Sequence, residues 1–219
     1  MKLQPRTDIE QRDGGFWWPS SVKQAGLRYW HHAGEMAASL QFVKTKGIAV
    51  QAGGHVGMFP LWLSQHFELV YTFEPEPRNF ACLVRNANAD NIIAQRGVLS
   101  DNTGTIELRV AGSGGGHNVM SEGGADKRGA IPSHVIDNLF LPRCDFIMLD
   151  IEGHEMPALL GAINTIDRCR PVITLEARGH GVKKGRGHTD EDVEHFILSL
   201  NYKRAGICRN DVIYTPREQ

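Results

Sequence analysis

Acidic and basic residues offset each other almost completely, 25 against 24 in 219 residues. The chain therefore lacks the global positive field that draws proteins to nucleic acid or anionic membrane, and no nucleic-acid partner is expected. Long hydrophobic runs are missing too. Nothing approaches the roughly 20 apolar residues of a membrane helix, and residues 1–15 are polar, without the apolar core of a signal peptide. These absences point to a cytoplasmic protein with no membrane partner. Cysteine is sparse and unpatterned. Cys82, Cys144, Cys169 and Cys208 form no C-x-x-C pair, so their spacing supports neither a zinc knuckle nor a disulfide framework, and reduced thiols are expected. The dinucleotide fingerprint G-x-G-x-x-G is also absent, and no internal repeat is evident.

What is present starts at Gly47. Strand-like apolar runs there alternate with helix-like segments, the pattern of a parallel sheet covered on both faces. Residues 47–219 are read as one domain, and residues 1–46, rich in aromatics such as Phe16, Trp17, Trp18, Tyr29 and Trp30, as a cap or lead-in segment. The first strand is Ile48–Ala52, followed by a helix over 56–66 with Phe59, Trp62, Leu63 and Phe67 on its apolar side and Pro60 in its first turn. The second unit is a strand over 69–73, a Glu74-Pro75-Glu76-Pro77 stop, and a helix over 78–87 that turns Phe80, Leu83 and Val84 inward. Further strands are expected over 92–98, 105–110, 145–151 and 171–177. The helix after 151 places Met156, Leu159, Leu160 and Ile163 on one face. A helix over 190–200 precedes a hairpin of strands 202–206 and 211–215. The glycine-rich stretch 111–129 is a candidate mobile lid.

Two sites in this pattern carry chemistry. Gln51-Ala52-Gly53-Gly54-His55-Val56-Gly57 lies where a strand hands over to a helix. Glycines there admit a ligand to the backbone, and the helix start offers free N–H groups to an anion. The spacing suits a cofactor bearing a carboxylate rather than a pyrophosphate. Glu74 closes the second strand 21 positions after Gly53, where a carboxylate can accept hydrogen bonds from both ribose hydroxyls of an adenosine ligand.

Residues 50–59, the Phe73-Glu74-Pro75-Glu76-Pro77 run with Arg78-Asn79-Phe80, Leu99-Ser100-Asp101-Asn102-Thr103-Gly104, and residues 147–155 together resemble the FkbM-type methyltransferases. The resemblance spans roughly residues 47–213. It implies a Rossmann-like class I methyltransferase fold of the α/β class, with a mostly parallel seven-stranded sheet, a terminal antiparallel hairpin and helices on both faces. It also implies S-adenosylmethionine as cofactor and O-methylation of a hydroxyl on a small-molecule or sugar acceptor. The cofactor residues implied are Gln51, Gly53, Gly54, His55, Gly57, Glu74, Ser100, Asp101 and Asp150, with Ser100 and Asp101 bordering the adenine. Asp150-Ile151-Glu152-Gly153-His154-Glu155 is similar to the family's D-x-E-G-x-E signature. Two positions depart from the family pattern: Gln51 replaces an acidic residue, able to hydrogen-bond the cofactor ammonium but without charge, and Met148 replaces a lysine.

Methyl transfer from a sulfonium is already activated, so the protein must align the reacting atoms, exclude water and, for a hydroxyl acceptor, take a proton. Asp150, Glu152 and His154 are the catalytic candidates, with Asp150 first and Glu176 close behind, while Glu155 caps the following helix. Asp150, Glu152, His154 and Glu176 could also hold a divalent ion, but no spacing demands one, so no metal is assigned. Lys183-Lys184-Gly185-Arg186-Gly187-His188 reads first as a solvated basic loop, and Trp17 and Trp18 as packing residues. Two other readings stay open, a non-catalytic adenosyl-ligand-binding module and an NAD-dependent enzyme. The glycine spacing and the terminal hairpin count against the latter.

Overall fold

A computed structural model describes residues 8–22, 28–110, 118–119, 127–176, 188–208 and 210–218. In chain order its strands are β1 (Ile9–Gln11), β2 (Trp17–Pro19), β3 (Ile48–Ala52), β4 (Leu69–Glu74), β5 (Ile92–Arg96), β6 (Val98–Leu99), β7 (Gly104–Val110), β8 (Asn118–Val119), β9 (Lys127–His134), β10 (Phe146–Leu149), β11 (Val172–Glu176), β12 (Tyr202–Cys208) and β13 (Asp211–Pro216). Its helices are α1 (Arg28–Glu35), α2 (Ala37–Leu40), α3 (Met58–Ser64), α4 (Pro77–Asn86), α5 (Glu155–Leu160), α6 (Ile163–Cys169) and α7 (Asp190–Ser199).

The main sheet has seven strands in the order β12-β13-β11-β10-β3-β4-β5. Every neighbouring pair from β11 to β5 is parallel, and β13 runs antiparallel to both β11 and β12. The expected parallel sheet with a terminal hairpin is therefore present. Period-2 alternation divides its side chains between two cores. Val50, Ala52, Phe73, Ile147, Leu149 and Leu175 pack into one core with Leu159 and Ile166 of α5 and α6 and Ile197 of α7. Ala49, Val70, Phe146, Met148 and Val172 pack into the other with Met36, Leu40 and Leu63 on the α1–α3 side. Strands buried on both faces are what near-continuous apolar runs produce.

The lower end of the sheet is tied by one carboxylate. Asp145 accepts from the N–H groups of Gly47 (3.0 Å) and Ile48 (2.9 Å) and from both Nε (2.9 Å) and Nη2 (2.8 Å) of Arg143. Burial alone would raise its pKa, but the hydrogen bonds from Arg143, Thr45 and Ile48 hold it below its ordinary value. β3 and β10 are thus locked in register at their starts.

Several expected features come out differently. The apolar run 92–98 does not stay in one strand. β5 ends at Arg96, and Val98–Leu99 leaves to pair with β9 in a second sheet of order β6-β9-β7-β8. The apolar template 156–163 breaks as well, since Met156 and Leu159 are buried but Leu160 and Ile163 are each 37% exposed. α5 stops before Gly161, and α6 restarts at Ile163, where Asp137 accepts from the N–H groups of Asn164 (3.0 Å) and Thr165 (2.8 Å). On α4, Val84 is exposed and Cys82 fully buried instead, because Trp18 of β2 and Val22 just after it pack against Cys82. Residues 1–46 include this hairpin as well as the lead-in helices. Most of 111–129, with the lid expectation, and the basic residues 183–187 lie outside the described residues. Among the described residues no helix is long and apolar enough to cross a membrane.

Candidate active site

The strand order reverses between β3 and β10: from β3 the chain builds outward through β4 and β5, and from β10 in the opposite direction. In open α/β sheets this switch point opens the crevice in which ligands bind, at the carboxyl ends of the strands. Gln51, Glu74, Asp150 and Glu176 all stand at or just beyond those ends, on β3, β4, β10 and β11.

The loop from Gly53 to Gly57 is a sharp turn at this edge. Gly53 and Gly57 have φ of 83° and 96°, and His55 between them has φ of 47°, a left-handed conformation unusual for a residue with a side chain. A Cβ on Gly53 would lie 2.0 Å from the Asp150 carbonyl oxygen. Glycine at this position therefore allows the β3 and β10 edges to touch. Gly53 and Gly54 both donate to the Phe73 carbonyl (3.1 and 3.0 Å), and His55 N–H donates to Glu74 Oε2 (2.7 Å). The loop and the end of β4 form one hydrogen-bonded unit.

Glu74 is buried, and its Oε1 accepts from Glu76 N–H (2.9 Å) and from the Asn79 amide (3.4 Å). Desolvation raises its pKa to about 7, against the hydrogen bonds from Glu76, His55 and Asn79, with the Glu76 charge adding to the rise. Backbone N–H groups take one acceptor direction on each carboxylate oxygen, Glu76 on Oε1 and His55 on Oε2, so two ribose hydroxyls fit with these partners kept once the long Asn79 contact gives way. Glu76 has a different task. It caps α4, accepting from the N–H groups of Arg78 (2.7 Å) and Asn79 (2.8 Å). Pro77 at the first helical position is the sequence signal that marks such a cap.

One row of side chains crosses the sheet beneath the crevice. The registers place Thr72, Gln51, Met148 and Thr174 side by side on β4, β3, β10 and β11. The two departures from the family pattern are therefore neighbours, a neutral amide beside a thioether. Thr72 Oγ1 donates to Gln51 Oε1 (2.5 Å), and among the described residues neither Gln51 Nε2 nor Thr174 Oγ1 has a partner, although both are buried. With its oxygen engaged by Thr72, Gln51 offers N–H groups, which suit a carboxylate better than an ammonium.

Across the switch point, carboxylate oxygens of Asp150, Glu152 and Glu176 lie within 4.8 Å of one another. Glu152 reaches this cluster through left-handed backbone at Glu152 (φ 58°) and Gly153 (φ 94°), which turns the chain sharply before α5. Asp150 is half-buried, and Glu152 and Glu176 are buried. Three hard oxygen donors at this spacing can take a proton from a hydroxyl or hold a divalent cation. His154 stands at the N-cap of α5 and is not one of the three. Glu155 opens α5, accepting from Ile151 N–H (3.3 Å) and Gly153 N–H (3.2 Å), and burial raises its pKa to about 7. Ser100 and Asp101 follow β6 on another part of the chain: Ser100 is buried with its N–H on the His134 carbonyl (2.8 Å), while Asp101 is exposed and accepts from Asn102 (2.8 Å). Thr72, Asn79 and Thr174 were not legible as site residues, since only strand register and helix packing bring them here.

The sequence model of the methyltransferase FkbM domain matches residues 52–204. The chain belongs to the FkbM methyltransferase family. The hexuronic acid methyltransferase AglP of Haloferax volcanii is 28% identical over 108 residues, covering 48% of this chain and 45% of its own. The crystal structure of methyltransferase FkbM from Methylobacillus flagellatus superposes with a TM-score of 0.56 at 21% identity, over 78% of this chain and 43% of the other. Precorrin 8w decarboxylase from Methanobacterium thermoautotrophicum superposes with a TM-score of 0.51 at 13% identity, over 98% of this chain and 100% of the other. At these identities the structural likeness is one of fold. This FkbM-family chain spans less than half the length of AglP and of the Methylobacillus protein.

Proposed function

We propose that this FkbM-family chain is an S-adenosylmethionine-dependent methyltransferase that methylates a hydroxyl of a small molecule or sugar. The observation that carries the reading is Glu74: a buried carboxylate at the carboxyl end of β4, one strand from the switch point, held by the His55 N–H of the glycine loop. The residues present fit the cofactor. Glu74 would accept the ribose hydroxyls, the backbone of Gly53, Gly54, His55 and Gly57 would line the amino-acid end, and the buried Nε2 of Gln51, which has no partner among the described residues, suits its carboxylate. Ser100 and Asp101 would border the adenine. When bound, the cofactor supplies a methyl group already activated by its sulfonium.

The chain's own work is then alignment and proton removal. Asp150, half-buried just beyond the end of β10, takes the acceptor's proton or orients its hydroxyl, and the neighbouring Glu152 and Glu176 carboxylates favour proton uptake by like-charge repulsion. AglP acts on a hexuronic acid, which makes uronic-acid glycans the first acceptors to try. The test is transfer of labelled methyl from S-adenosylmethionine to such glycans. At saturating S-adenosylmethionine, Asp150→Asn should lose turnover by roughly 100-fold or more, the usual scale for a lost general base. Turnover unchanged in Asp150→Asn would remove Asp150 from that role. A non-catalytic adenosyl-binding module is the second reading, favoured by the neutral Gln51–Met148 pair. It predicts binding without transfer to any acceptor.

A further inference from the structure

The segment preceding the family-matched stretch is built onto the cofactor loop. β1 and β2 form an antiparallel hairpin, Ile9 paired with Pro19 and Gln11 with Trp17. Arg12 ties it internally, its guanidinium donating to the carbonyls of Ser20 and Val22. Two contacts join the hairpin to the glycine loop and the end of α4. Trp18, fully buried, sets its ring edgewise to His55, with centroids 5.9 Å apart at 67°. Asn86, the last residue of α4, uses its whole amide: Oδ1 accepts from Trp17 N–H (2.7 Å), and Nδ2 donates to the carbonyls of Trp17 (2.8 Å) and Val56 (2.7 Å). One side chain thus joins the hairpin, α4 and the loop. Arg78 adds a longer contact to Ser21 (3.4 Å) and Arg85 lies over the Trp17 ring (5.6 Å).

His55 carries a side chain in left-handed backbone, a conformation that is unfavourable for a residue with a Cβ and persists only where its surroundings hold it. That conformation aims the His55 N–H at Glu74. The groups that hold the next residue and the His55 ring come from the hairpin and from Asn86.

We propose that residues 8–22 are a clasp on the cofactor loop, with Trp18 and Asn86 as positioning residues that fix His55 and Val56 so that Glu74 is presented to the cofactor. The proposal rests on reading residues 53–57 as the cofactor loop. The clasp acts on the loop and its flanking helices and not on the sheet, because its contacts among the described residues fall on α4, His55, Val56, Met58 and Trp30 rather than on β3 or β10.

Hydrogen exchange on the unliganded full chain tests the clasp without any cofactor, and titration calorimetry with S-adenosylmethionine tests its consequence. In Trp18→Leu, which keeps an apolar side chain, and in Asn86→Ala, the His55 and Gly57 amides should exchange at least about tenfold faster while those of β3 and β10 keep native protection. Cofactor affinity should fall by roughly tenfold in both variants, and Trp18→Phe should restore much of it. In a His55→Gly background, where glycine adopts the left-handed backbone freely, Trp18→Leu should weaken binding much less than in the native chain. Native exchange at His55 and Gly57 in both variants overturns the proposal. So does faster exchange spread equally over the sheet, which would make the hairpin a general stabiliser. A native chain that binds no S-adenosylmethionine refutes the cofactor reading instead, and the exchange result still decides the clasp.

Discussion

Glu74 must be ionised to accept two hydroxyl donors well, yet burial lifts its pKa to about 7. Cofactor affinity should therefore rise as pH increases through 7 and level off above it, by roughly tenfold across one to two pH units. In Glu74→Gln the dependence should vanish, at lower affinity throughout. Calorimetric titrations between pH 6 and 8.5 would check this, and equal affinity at both ends for the native chain would contradict it. Gln51 was legible as a departure from the family pattern, but the orientation of its amide was not, since that depends on the Thr72 hydroxyl one strand away. Parallel pairing in register is a long-range fact, and one sequence does not print it.

At the scale of elements, boundaries marked by glycine or proline were readable. β3 ends at the glycine loop and α4 begins at Pro77, as the punctuation implied. Elements without punctuation or length were not. The strands of the hairpin have three residues each, too few for any period, and Val98 reads as one more apolar residue of the third strand. The junction between α5 and α6 is pressed against a distant part of the chain, which only the folded chain reveals: a Cβ on Gly161 would sit 2.0 Å from the Ser100 carbonyl oxygen. Backbone cannot yield there as a side-chain tip would. Gly161→Ala should cost on the order of 2–4 kcal/mol in chemical denaturation. A loss under about 0.5 kcal/mol would show that the two segments are not pressed together as described.

Across the whole molecule, Glu74 and Glu155 are buried carboxylates whose pKa values rise from 4.5 to about 7. The folded chain keeps their protons to about pH 7, while the unfolded chain releases them near 4.5. The folded state therefore binds more protons within that window. Stability of the unliganded protein should fall as pH rises from about 4.5 to 7, by an amount on the order of 3 kcal/mol per group at most, and flatten above. Glu155→Gln keeps an acceptor for the Ile151 and Gly153 N–H groups and should remove about half of that slope. Denaturation midpoints that climb over the same window would contradict the burial of these groups. The seven-stranded architecture was legible because alternating apolar runs and helical faces extend over most of the chain, whereas the carboxylate cluster was legible only as a set of candidates. Asp150, Glu152 and Glu176 come together through a left-handed turn at Glu152 and adjacent strand ends, and His154, equally prominent in sequence, falls outside their cluster.

The central claim is a site for S-adenosylmethionine built on Glu74 and the glycine loop. Its most direct test is titration calorimetry of the purified chain with S-adenosylmethionine and, separately, with NAD, repeated on Glu74→Ala. Saturable S-adenosylmethionine binding that Glu74→Ala weakens by tenfold or more, with no heat from NAD, is the predicted result. Binding of NAD alone, or S-adenosylmethionine affinity unchanged in Glu74→Ala, would contradict it.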